Sequence, residues 1–197
     1  KQETQYPWDG TVQITVEPQE SAEFAVYLRI PGWAQNKPVP SDLFRFLDQD
    51  EQEPVVRVNG APQDLDLERG YARIRRTWRK GDTIMLTLPM PVRRVVAHPK
   101  VEADRDRVAL QRGPIVFCAE NCDNKNAPVL TTALPDDVEL TTEFRPDLLH
   151  GVQVIRAKVP VAGAEQELVA IPYYAWANRD PGPMTIWLHR KPSGAGD

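Results

Sequence analysis

Residues 71–88 read Tyr71-Ala72-Arg73-Ile74-Arg75-Arg76-Thr77-Trp78-Arg79-Lys80-Gly81-Asp82-Thr83-Ile84-Met85-Leu86-Thr87-Leu88. On an extended chain Ala72, Ile74 and Trp78 share one side, and Arg73, Arg75 and Thr77 share the other. Ile84, Leu86 and Leu88 then alternate with Met85 and Thr87 in the same way. A period of two, apolar against polar, marks strands with one buried face and one wet face. Between the two runs, Arg79-Lys80-Gly81-Asp82 supplies a glycine, and the stretch predicts a tight hairpin.

The same period extends outward in both directions. Val12, Ile14 and Val16 alternate with Gln13 and Thr15, and Phe24, Val26, Leu28 and Ile30 alternate with Ala25, Tyr27 and Arg29. Asn59-Gly60 is a turn signal after a short strand at 55–58. Further strands are expected at 92–97, 108–110, 115–119, 139–144, 152–159, 168–174 and 184–188. Proline contributes 19 of 197 residues, about twice its usual share of roughly 5%. Because proline interrupts helix interiors, this argues against a helical bundle. The expected class is all-β, built as antiparallel β-sandwich.

Two stretches depart from the strand pattern. Residues 34–54, punctuated by Pro38, Pro40 and Pro54, read as a long insertion loop. Within it, residues 41–47 predict one or two helical turns with Ser41 as N-cap, followed by an acidic polar run at 48–53. Leu43, Phe44, Phe46 and Leu47 place four large apolar side chains within five positions, which makes them candidates for a domain interface. Residues 120–128 are rich in Asn, Asp and Lys and read as a linker. The expected organisation is therefore two consecutive sandwiches, 1–120 and a smaller 121–197, with a small polar tail from 191 that frays. Position 1 is Lys and the chain runs almost directly into a strand, so a piece of a longer protein is expected.

Charge and composition exclude several function classes. With 24 Lys+Arg against 28 Asp+Glu, the formal net charge is −4, which does not suit a general binder of nucleic-acid backbones. No apolar run approaches the roughly 18 residues of a membrane helix, and no membrane partner is expected. The sequence carries no nucleophile elbow, phosphate-binding loop, zinc-protease helix or dinucleotide fingerprint. His98, His150 and His189 are scattered singly. Cys118 and Cys122 are two thiols where a structural zinc site takes four ligands; they read as free thiols, with Cys118 in a strand core, and a short-loop disulfide is the alternative. No residue is expected to be catalytic or to hold a metal.

Two features still deserve weighing for chemistry. Glu102, Asp104 and Asp106 form an acidic loop of the kind a glycosidase pair needs, but the interleaved Arg105 and Arg107 favour an exposed ion-pair loop. Tyr173, Tyr174, Trp176 and Asn178 are candidates for carbohydrate binding, the three aromatic rings by stacking on a sugar. Period two places Tyr174 and Trp176 on one face and Tyr173 on the other, so burial of Tyr174 and Trp176 is the expectation. Trp8, Trp33, Trp78 and Trp187 are expected in core or seam positions.

Seven blocks, in order, carry a family resemblance. They are Tyr6-Pro7-Trp8-Asp9-Gly10, Leu28-Arg29-Ile30-Pro31-Gly32-Trp33-Ala34, Pro38-Val39-Pro40-Ser41-Asp42-Leu43 and Gly70-Tyr71-Ala72-Arg73-Ile74. The others are Leu88-Pro89-Met90-Pro91-Val92-Arg93-Arg94-Val95-Val96, Val108-Ala109-Leu110-Gln111-Arg112-Gly113-Pro114 and Ile171-Pro172-Tyr173-Tyr174-Ala175-Trp176-Ala177-Asn178-Arg179. Together they resemble the C-terminal part of glycoside hydrolase family 127, whose characterised members are β-L-arabinofuranosidases. The resemblance implies an N-terminal (α/α)6 barrel ahead of β-sandwich domains. It also implies retaining catalysis in that barrel by a cysteine beside a zinc held by cysteines and a glutamate. Nothing in this sequence matches that motif, and the role does not pass to Cys118 or Cys122. Asp106 and Asp180 stand at turns where the family carries glycine, which raises the question of a positive φ.

The sequence thus reads as a non-catalytic accessory region of a family 127 type enzyme. Its expected partners are its own N-terminal catalytic barrel, a second copy of itself and arabinose-containing glycans. The rival readings are an autonomous carbohydrate-binding module and a small stand-alone enzyme using the 102–106 acidic loop. The compartment is not legible.

Overall fold

A computed structural model describes residues 1–48 and 51–193. Positions 49 and 50 of the acidic run, and 194–197 of the tail expected to fray, lie outside the described residues. In chain order the strands are β1 (Gln2–Thr4), β2 (Thr11–Val16), β3 (Ala22–Arg29), β4 (Phe44–Phe46), β5 (Val55–Val58), β6 (Ala61–Gln63), β7 (Leu67–Glu68), β8 (Tyr71–Trp78) and β9 (Asp82–Thr87). They continue with β10 (Val92–Ala97), β11 (Arg107–Arg112), β12 (Ile115–Glu120), β13 (Ala133–Pro135), β14 (Thr141–Arg145), β15 (Val152–Val161), β16 (Ala164–Pro172), β17 (Met184–Thr185) and β18 (Leu188–Lys191). Short 3-10 turns occupy Gly32–Gln35, Glu102–Asp104 and Tyr173–Ala175. The all-β class is as the alternation required, and among the described residues no helix is long and apolar enough to cross a membrane.

The chain divides into two compact units, 1–40 with 49–91, and 41–48 with 92–197. The boundary expected at 120/121 therefore falls at 91/92. Strand β10 pairs with β11, β11 with β12, and β12 with β16, so the ladder runs without a break through the point where a linker was expected. The 120–128 segment is packed rather than free: Glu120, Asn124 and Ala127 are buried. The Asn124 side-chain amide donates to the Glu120 and Val169 carbonyls at 2.7 and 2.9 Å, and its oxygen accepts the Val169 N–H at 2.7 Å. A polar side chain at such a position reads as linker in sequence, yet here it substitutes for a strand partner.

The first unit is a sandwich of one sheet ordered β1-β2-β9-β5-β6 and a second ordered β3-β8-β7. Its core gathers Leu28, Ile30, Val56, Trp78, Ile84 and Leu86 from both sheets. Residues 79–82 do not form the expected hairpin. Strand β8 pairs with β3 and β7, whereas β9 pairs with β2 and β5. The bend therefore carries the chain from one sheet to the other, with Trp78 and Ile84 entering the same core from opposite sides. Asp82 holds that bend by accepting from the Arg79 N–H and the Asn59 amide, both at 2.8 Å, and these bonds lower its pKa. Asn59-Gly60 does close a two-residue hairpin between β5 and β6, with φ of 49° and 81°. Positive φ at both positions is what the type I′ turn requires. Gly10 is constrained differently: a Cβ there would lie 1.9 Å from the Leu88 carbonyl oxygen.

The second unit is a sheet ordered β13-β18-β11-β12-β16-β15-β14, with β10 and β4 added beside β11 and β17 beside β12. Its pairs are antiparallel except β13 with β18, which run parallel. The expected helical turns at 41–47 are replaced by β4, which pairs with β10 through Val95↔Phe46 and Ala97↔Phe44. Ser41 Oγ does accept an N–H, from Leu43 at 3.4 Å, but no helix follows. Phe-Arg-Phe alternation beside an open strand edge favours the extended form. Trp78 is a core residue, and Trp8, Trp33 and Trp187 are half-buried.

Candidate functional site

The aromatic segment at 173–178 stands where two strands converge. Strand β16 runs beside β12, with Phe117↔Pro172 and Cys118↔Ile171 opposed. The chain then leaves the sheet, and returns as β17 against the end of the same strand, with Ala119↔Thr185 and Glu120↔Met184 opposed. Residues 173–183 are thus a loop with both stems hydrogen-bonded to β12, reinforced by Asn121 N–H to the Pro183 carbonyl at 3.0 Å.

Glu120 closes β12 and is buried, a carboxylate at the end of the apolar run Ile115–Ala119. Its counter-ion comes from the loop. The Arg179 guanidinium donates to Glu120 Oε2 at 2.5 Å and forks onto both Asp123 oxygens at 2.6 and 2.5 Å. Glu120 Oε1 accepts the Ala177 N–H at 3.2 Å, where Ala177 takes a φ of 63°. The Asp123 hydrogen bonds, opposed by burial and joined by Glu120, push the Arg179 pKa further up. Arg179 Nε is buried without a partner. A forked, charge-assisted contact of this kind fixes geometry as well as charge.

Three rings stand outside this clamp. Tyr173, Tyr174 and Trp176 are 40%, 65% and 43% exposed, which overturns the expectation that Tyr174 and Trp176 are buried. That expectation applied strand alternation to residues that lie in a 3-10 turn and its exit, where i and i+2 no longer share a face. The Tyr173 and Trp176 rings stack, with centroids 6.0 Å apart and planes 15° apart. The fourth candidate, Asn178, faces its own turn: its amide nitrogen donates to the Ala175 and Trp176 carbonyls at 3.1 and 3.3 Å.

Glu120, Cys122 and Asp123 bring three donor atoms within 4.8 Å of one another. They do not fit a zinc. Arg179 already occupies both carboxylates, and the Cys122 thiol pKa is pushed up by burial and by Asp123, away from the thiolate a metal needs. The Cys118 thiol, buried in β12, is pushed up to about 12 by burial, with Glu120 adding to it. Both cysteines are free.

The other candidates are dispersed. Of the four proposed interface residues, Leu43 is exposed, and Phe44 is half-buried and stacked on Trp187 with centroids 5.7 Å apart. Phe46 is buried under the Arg93 guanidinium, 4.0 Å from the ring centroid, and Leu47 is half-buried. In the acidic loop, exposed Glu102 pairs with Arg105 at 3.9 Å. Burial raises the Asp104 carboxyl, offset by Arg107. Asp106 takes the anticipated left-handed conformation, φ 55°, whereas Asp180 does not. Asp104, Arg105 and Asp106 line a cleft of about 360 Å³ with Arg107 and Arg190. Arg107 donates to the Trp187 carbonyl and Arg190 forks onto Asp136, so both cations already serve the fold. Sequence reasoning missed the Glu120–Asp123–Arg179 clamp. Its one available signal was a glutamate ending an apolar strand.

Comparison with known proteins places this geometry. Residues 1–90 match the model of the β-L-arabinofuranosidase GH127 middle domain, and residues 92–189 match that of the glycoside hydrolase family 127 C-terminal domain. The junction coincides with the boundary between the compact units. The non-reducing end β-L-arabinofuranosidase of Bifidobacterium longum subsp. longum is 32% identical over 96% of this chain. A family 127 β-arabinofuranosidase of known structure superposes with a TM-score of 0.87 at 40% identity, covering 96% of this chain and 31% of its own. A GH127 β-L-arabinofuranosidase from Geobacillus stearothermophilus T6 gives 0.79 at 39% identity, covering 96% of this chain and 30% of its own. The chain spans about 30% of the length of the curated relative it matches. Two family models that tile the chain in order, and meet where the fold itself divides, show that it belongs to glycoside hydrolase family 127, of which it carries the middle and C-terminal domains.

Proposed function

We infer that the chain is the accessory β-region of a β-L-arabinofuranosidase, supporting an N-terminal catalytic barrel and shaping the surface beside its pocket. The observation that carries this reading is the tiling of a middle and a C-terminal domain model over residues 1–189, set against relatives about three times as long. On this reading the reaction and the zinc belong to the N-terminal domain, consistent with Glu120 and Asp123 being engaged by Arg179. Contact with arabinose-containing glycan, and self-association through the same domains, are secondary roles within it.

The test mixes the 197-residue chain with the N-terminal region of the Geobacillus enzyme. The chain alone is expected to release nothing from a chromogenic β-L-arabinofuranoside. In the mixture it is expected to raise the melting temperature of the N-terminal region. Turnover by the purified chain alone, undiminished by chelation or by further purification, would show that the reading is wrong.

A further inference from the structure

We propose that the 173–178 turn is the anchor by which this accessory region docks onto the N-terminal region of its own polypeptide. The proposal rests on the accessory reading and names its contact element. Tyr173, Tyr174 and Trp176 expose large rings within four positions. Tyrosine and tryptophan are the residues that dominate protein interfaces, because they combine large contact area with few rotatable bonds. Here the segment is also pre-ordered. Both stems are tied to β12, Arg179 bolts the interior to Glu120 and Asp123, and Asn178 closes the turn on itself. A platform already rigid loses little conformational freedom on docking.

The alternative occupant is a sugar, and the polar groups argue against it. A glycan site needs side chains free to meet hydroxyl groups around the ring. Asn178 donates to backbone carbonyls of its own turn, and the terminal nitrogens of Arg179 are engaged by two carboxylates while its Nε is buried. The Tyr173 and Trp176 faces lie against each other. What is left outward is apolar ring with isolated Tyr and Trp polar tips, which suits a hollow in another protein surface. The family order names the occupant. The chain holds a middle and a C-terminal domain, and matches about 30% of its relatives' length, so the region still to be met precedes the middle domain. Arg179 is then a positioning residue for the anchor.

The experiment is calorimetric titration of the 197-residue chain with the N-terminal region of the Geobacillus enzyme, in wild type, Trp176→Ala, Tyr174→Ala and, as a surface control, Leu130→Ser. All three sites are exposed, and urea midpoints check that each variant stays folded. Wild type and Leu130→Ser should bind alike, and each ring truncation should weaken binding roughly 30-fold, the scale of an interface hot spot. Binding unchanged in both ring variants overturns the proposal and leaves the accessory reading standing. Absence of binding by the wild-type chain overturns both. Retention of the chain on arabinose-containing polysaccharide that Trp176→Ala abolishes assigns the rings to glycan and overturns the docking proposal alone.

Discussion

Replacing Arg179 by methionine removes the guanidinium but keeps most of the side-chain length, so the change isolates charge from packing. Three short N–H···O contacts disappear, one to Glu120 and two to Asp123. Two carboxylates are left facing each other, with Glu120 only 6% and Asp123 18% exposed. Breaking a buried pair by removing one partner costs about 3–5 kcal/mol, because the stranded charge keeps its desolvation penalty. The Asp123 side of the site touches water, which places the expectation near the lower end, about 3 kcal/mol. With a urea m-value of about 1.5–2 kcal/mol/M, the midpoint of the second unit should fall by about 1.5–2 M. Asp123→Asn keeps the Glu120 contact and removes one charge, and should cost about 1–2 kcal/mol. The double variant should lose less than the sum, since Asp123→Asn removes one of the carboxylates that Arg179→Met strands. The assay is urea titration followed by tryptophan fluorescence. Trp176 and Trp187 report the second unit, and Trp8, Trp33 and Trp78 the first. A second-unit midpoint equal to wild type in Arg179→Met would refute the clamp, and strict additivity in the double variant would refute its coupling.

Trp78→Ala should destabilise the first unit by about 4–5 kcal/mol, since it empties a fully buried ring site and strands the Phe24 carbonyl that accepts its indole N–H at 3.1 Å; calorimetric melting that leaves the first transition in place would contradict this. Cys118 gives the chain an alkaline limit. Its folded pKa is about 12 against an ordinary 9.0, so between those values the unfolded thiol loses a proton that the folded one keeps, and stability falls as pH rises through the window. Cys118→Ala should flatten that slope in urea midpoints measured from pH 8 to 11, and parallel slopes for variant and wild type would count against the buried neutral thiol.

Alternation of apolar and polar residues is a property of neighbours two apart, and the sequence alone therefore determined where many strands lie. Strand β10 falls at the expected 92–97, β12 extends the expected run by one residue, and the Asn59-Gly60 hairpin follows from two residues that tolerate positive φ. Membership of family 127 was legible too, because the seven ordered blocks are local patterns. Which sheet a strand joins is a different kind of fact. Residues 71–88 carry strand signals on both sides of Gly81, yet the bend crosses between sheets, because Trp78 and Ile84 bury themselves in one shared core rather than pair along one ladder. Asn124 looked like linker and is a buried surrogate strand partner; Phe44 and Phe46 looked helical and took the open edge of β10. The exposed aromatic turn came from a clamp joining residues 56 and 59 positions apart. Period and turn chemistry act over a few bonds and are written in the chain, whereas pairing, burial and charge compensation depend on which distant residues the folded chain brings together, and only the tertiary structure decides them.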